Sequence, residues 1–170
     1  MKDRSTRLKI IILATIIVAQ TVHAQELNGN LASLAPLLGS WEGRFEGNTS
    51  GGPVMPISAL PILNGGAVSI KAASGSFMRE SYYYWNPAQK QIQFLVLSSN
   101  GHIGSGVISS ENALIVETGI QITPDGTTND VRATWEVTPE GNLISRGYTL
   151  KDGDWQPGHV IILESTDTDR

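Results

Sequence analysis

Beyond its first two dozen residues the chain is a succession of short runs in which apolar and polar side chains take turns. In "SWEGRFEG", Trp41, Gly43 and Phe45 fall on one side and Glu42, Arg44 and Glu46 on the other. Side chains of a strand alternate faces with a period of two, so this run predicts a strand with one face buried and one in water. Eight further runs follow the same logic. They are "GAVSIKAAS" from Gly66, "SFMRESYYYW" from Ser76, "KQIQFLVLS" from Lys90, "GHIGSGVIS" from Gly101, "ALIVETGIQI" from Ala113, "DVRATWEV" from Asp130, "NLISRGYTL" from Asn142 and "HVIILES" from His159. In "ALIVETGIQI" the expected apolar side carries Leu114, Val116, Ile120 and Ile122. In "DVRATWEV" it carries Val131, Ala133, Trp135 and Val137, opposite Arg132, Thr134 and Glu136.

The connectors "NPAQ", "SSNG", "TPDG", "TPEG" and "KDGD" are tight-turn chemistry, with proline preset early or glycine free to take positive φ. Turns at such short intervals pair neighbouring strands as hairpins. No stretch past the leader has sustained helical periodicity; "LNGNLASLAPLL" predicts one short helical turn, with Leu31, Leu34 and Leu38 capping an opening. The fold class is therefore all-β: a single antiparallel up-and-down barrel of about 8–10 strands, closed because closure removes exposed edges. Its expected limits are a lead-in over 25–39, the barrel over 40–165 and a tail over 166–170.

The first residues change the picture of where such a barrel goes. Lys2, Arg4, Arg7 and Lys9 precede the apolar run "IIILATIIVA", and Val22 and Ala24 stand as small residues before Gln25. That is the pattern of a signal peptide over 1–24, cut between Ala24 and Gln25. About ten apolar residues are too few to cross a bilayer core of about 30 Å, so no stable membrane anchor is expected after cleavage. The expected location is exported, periplasmic or secreted. The leader holds 4 of the 12 basic and 1 of the 16 acidic residues, leaving 8 against 15 and a charge of about −7. A negative domain of this kind is not expected to bind nucleic acid. There is no cysteine, so neither a disulfide nor a lipid-bearing cysteine supports the domain.

The opening strand also carries a resemblance. Gly39-Ser40-Trp41 resembles the Gly-x-Trp signature of the calycin superfamily, the lipocalins and their relatives. "LLGSWEGRFEG", "YYYWNPAQKQ", "TPEGNL" and "DGDWQPGHVIILES", in that order, are similar to a bacterial secreted family known only as a domain of unknown function. More distantly, the first strand resembles that of the nitrobindins, which are small haem-binding barrels. The first resemblance implies a lipocalin-like barrel. The second implies that His159, in the final strand, is a haem ligand. Phe45 and "NTSGGPVMPISALP" depart from the nitrobindin pattern, and Phe45 on the inner face would occupy space that haem needs.

The candidate residues follow from these two sources. Trp41, Gly43, Phe45, Tyr82, Tyr84 and Trp135 are the expected wall for a small apolar or amphipathic ligand, since inward aromatics combine an apolar surface with polar tips. His159 shares a face with Ile161 and Leu163 and is the alternative haem ligand. No catalytic residue is expected. His102 and Ser105 do not form a Gly-x-Ser-x-Gly elbow, because Ile103 and Val107 stand where its glycines belong. Asp152 and Asp154 lack the spacing of a calcium loop, and two mature-chain histidines without cysteine make no structural zinc site. Gly51-Gly52 and Gly65-Gly66 precede no helix that would cradle phosphate, and Asn48-Thr49-Ser50 reads as a glycosylation sequon only in a eukaryotic secretory path and otherwise as a polar turn. A hollow barrel holding a ligand and a filled barrel working through its outer surface, as an interaction module or a homodimer, share this pattern.

Overall fold

The structure is a computed structural model, and it describes residues 26–47 and 53–167. The expected leader with Gln25, the expected turn at Asn48-Thr49-Ser50, Gly51-Gly52 and the last three residues lie outside the described residues. Ten strands follow one another: β1 (Gly39–Phe45), β2 (Met55–Ile62), β3 (Ala67–Ser74), β4 (Phe77–Asn86), β5 (Gln91–Ser98), β6 (Ile103–Glu111), β7 (Leu114–Ile122), β8 (Thr128–Val137), β9 (Leu143–Lys151) and β10 (Asp154–Ser165). Each pairs antiparallel with the next, and β10 returns to β1 in the register Trp41↔Ser165 to Phe45↔Ile161. The result is one closed up-and-down barrel, as the alternation predicts.

One strand was hidden from that pattern. β2 carries Pro56 and Pro61, which break the appearance of a run and remove two backbone donors. The register shows why both are tolerated. β2 meets β1 only from Met55 to Ala59 and β3 only from Ile57 to Ile62. Pro56 therefore has a neighbour on one side, Glu42, and Pro61 has one on the other, Val68.

The inner face divides into two halves. One end is covered by a 3-10 helix, Gly29–Leu37, opened by the Asn28 side chain accepting from the Asn30 amide. With three residues per turn, positions three apart stack on one side, so Leu31, Leu34 and Leu37 point together into the barrel and are completely buried. The expected single turn with Leu38 is corrected to this longer helix with Leu37, and Leu38 only packs against the edge of the core. The Asn28 amide bonds the Gly65 carbonyl in the β2–β3 turn, which ties the lead-in to the barrel end.

Trp41 completes the cover. Its indole Nε1 donates to the Leu37 carbonyl at 3.0 Å while its ring is buried among Leu34, Ile57 and their neighbours in the core. The Gly-x-Trp start thus has a physical cause. Gly39 takes a φ of 123°, closed to L side chains, where the helix turns into β1, and Trp41 fastens the two.

Candidate functional site

Toward the other end the inner face becomes polar and leaves space. Two adjoining cavities, of about 260 and 170 Å³, occupy it. Phe77, Arg79 and His159 line both. The larger continues along Phe94, Val96, Gly104, Glu117, Gln121 and Gly147. The smaller is more apolar, with Met55, Ile57, Ile70, Ile161 and Phe45 in its wall.

A hydrogen-bonded bridge crosses the lumen between them. Glu117 on β7 is buried, and its Oε1 accepts from the Tyr83 hydroxyl on β4 and from the Trp135 indole on β8, the latter at 2.6 Å. Both bonds end on Oε1; among the described residues no donor reaches Oε2. Burial, together with the nearby Glu117 charge, holds the Tyr83 hydroxyl well above its ordinary pKa, so it stays a donor. Arg79 enters from β4 and finds no hydrogen-bonding or ion-pair partner for its guanidinium among the described residues.

His159 reaches the lumen through an irregularity in β10. Pairing with β9 runs regularly to Pro157↔Tyr148 and resumes at Val160↔Arg146, so Gly158 and His159 together oppose Gly147. Two residues against one is a β-bulge, which bends the strand and re-aims a side chain. The imidazole then lies flat against Gly147, where a β-carbon would come within 2.4 Å of its Cε1. Phe45 stands edge-on to it, ring centres 6.4 Å apart. The ring sits in the open mouth and keeps contact with solvent.

Desolvation, and secondarily the Arg79 charge, lower the His159 pKa, with Glu117 opposing. In the folded protein it therefore binds a proton less readily than in the unfolded chain, where its value is near the ordinary 6.5. Stability then rises with pH across the window between the lowered folded value and 6.5, and is lost as pH falls through it. Urea midpoints taken from pH 8 down to pH 5 are expected to fall on entering that window. His159→Gln should flatten this part of the profile; an unchanged slope would assign it to other groups.

Of the residues expected from the sequence, the structure brings Phe45, Trp135 and His159 to the cavities. Trp41 belongs to the end cover instead. Gly43 faces inward but is packed, since a β-carbon there would meet Ile161 at 3.1 Å and Ile57 at 3.4 Å. Tyr82 and Tyr84 are corrected to the outer face; the inward members of β4 are Phe77, Arg79, Ser81, Tyr83 and Trp85. The same reversal holds on β7, where Ile115, Glu117, Gly119 and Gln121 face inward and Leu114, Ile120 and Ile122 outward. Arg79, Tyr83 and Glu117 were missed in consequence. Arg132 and Arg146 pair outside with Glu111 and Glu136 at 3.1 and 2.7 Å.

A closed antiparallel barrel, covered at one end and carrying a polar bridge and two cavities within, is consistent with the calycin-like class of folds. No known family model matches the chain, and no curated protein matches it either.

Proposed function

We propose that this protein is an exported carrier or sensor that holds a small, largely apolar molecule in the barrel. The observation that carries this reading is the pair of cavities beside Arg79, Glu117 and His159. Concave sites with mostly apolar walls and a few convergent polar groups are where small ligands bind, and a merely filled barrel has no use for two separate opposite charges facing empty space. Export rests on the basic head, short apolar run and small residues ahead of Gln25.

The test is native mass spectrometry of protein taken from its own secretory compartment, followed by displacement of a solvatochromic probe. Retention of a small-molecule mass, or probe binding that is lost in Gly104→Leu, is the expected result. Gly104 lines the larger cavity, and a β-carbon there meets the Val96 β-carbon at 3.3 Å, so β5 must give by a few tenths of an ångström while the rest of the added side chain fills the space. A bare polypeptide that binds no probe would move the function to the outer surface.

A second reading, haem held by His159, is favoured by one observation: the imidazole lines both cavities and hydrogen-bonds no described residue. A porphyrin exceeds either cavity as it stands, and Phe45 flanks the ring, so the small-ligand reading leads. A Soret band on reconstitution that disappears in His159→Ala would reverse that order.

A further inference from the structure

Resting on the lumenal reading, we infer that the barrel selects a guest with an uncharged head that both donates and accepts hydrogen bonds, an acyl amide being the simplest example. The argument starts from two charges of opposite sign that face the same space and do not satisfy each other. Among the described residues, Arg79 offers donors and has no acceptor, and Glu117 offers Oε2 and has no donor for it. They are not within ion-pair distance of each other. Both act on the same neighbours, since the Arg79 and Glu117 charges are felt with opposite sign at Tyr83 and at His159.

Consider the three kinds of head that an apolar chain can carry into this space. A carboxylate gains Arg79 but is brought close to the Glu117 carboxylate, in a region where little water screens them. An ammonium gains Glu117 and meets the Arg79 guanidinium. Like charges brought together on binding weaken it by about tenfold or more. A carboxamide gives its carbonyl oxygen to Arg79 and an N–H to Glu117 Oε2, with no repulsion from either, and loses far less solvation on entry than an ion does. The apolar chain is then housed by Met55, Ile57, Ile70 and Ile161 in the smaller cavity.

The experiment is competition against a lumen-bound solvatochromic probe by octanamide, octanoate and octylamine, which share one chain length. It is run on the wild-type mature protein, Arg79→Met and Glu117→Gln, each checked for native circular dichroism. Octanamide is expected to bind the wild type at least about tenfold more tightly than either ion. Glu117→Gln should shift the preference toward octanoate, because Arg79 is then unopposed, and Arg79→Met should shift it toward octylamine. The two variants are independent, so the loss of one to misfolding leaves the other decisive. A charged head that wins in the wild type, or an order that neither substitution changes, overturns the inference while leaving lumenal binding intact. Failure of the probe to bind the wild type at all overturns both.

Discussion

Gly119→Val is expected to prevent closure of the barrel, lowering stability by more than about 4 kcal/mol and leaving little folded protein. Gly119 on β7 lies directly opposite Gly106 on β6. A β-carbon on Gly119 would lie 2.1 Å from the Ser105 carbonyl oxygen and 2.7 Å from the Gly106 Cα. One on Gly106 would lie 2.2 Å from the Thr118 carbonyl oxygen. These obstacles are backbone, so no rotamer change relieves them, and the strands must separate with loss of ladder bonds. Gly43→Ala is the control: its new methyl meets the side chains of Ile161 and Ile57 at 3.1 and 3.4 Å, which can give way. A cost of about 1–2 kcal/mol is expected there. Thermal and urea unfolding followed by circular dichroism compares the two. A Gly119→Val protein that melts within a few degrees of wild type would mean that β6 and β7 do not approach so closely.

The second large effect is expected at the bridge. Glu117→Ala removes the one acceptor shared by Tyr83 and Trp135 and leaves a buried hydroxyl and an indole N–H unsatisfied. An orphaned buried donor costs about 1–3 kcal/mol, and water entering from the neighbouring cavity recovers part, so a loss of about 2–4 kcal/mol is expected. Glu117→Gln keeps a carbonyl oxygen for the two donors and should cost about 1 kcal/mol. The measurement is the shift in urea midpoint at unchanged denaturant slope. Equal losses for the two variants would show that the acceptor is not what matters. If Tyr83→Phe proved as damaging as Glu117→Ala, the weight would lie on the Tyr83 side of the bridge.

The barrel was legible because alternation and turn chemistry are local. Trp41, Gly43 and Phe45 on one face of β1, and Val131, Ala133 and Trp135 on one face of β8, stand where period two puts them. β2 was not legible, because tolerance of Pro56 and Pro61 depends on where its neighbours end, and no local pattern encodes that. The site failed for a different reason. An apolar-inside rule assumes that the barrel interior is drier than its outer face, and here one half of the interior is polar. On β7 the rule turned Leu114 and Ile120 inward and Glu117 outward, the reverse of their positions. On β4 each of three adjacent tyrosines looks fit for an interior, and only registry with Val68 and Phe94 selects Tyr83. One signal was readable: Gly119 is in phase with Glu117, and a glycine inside a strand marks a place where another backbone comes close, as that of Gly106 does here.

The helix Gly29–Leu37 has a consequence for traffic. Among the described residues, Leu31, Leu34 and Leu37 close one end of the barrel, and the cavities open toward the other. On the proposed lumenal reading, a guest that enters past Phe45 and His159 leaves by the same route, and the water it displaces passes it on the way out. Exchange of one guest for another is then sequential: departure precedes arrival, and the replacement rate at saturation is set by the resident's escape, whatever the newcomer's concentration.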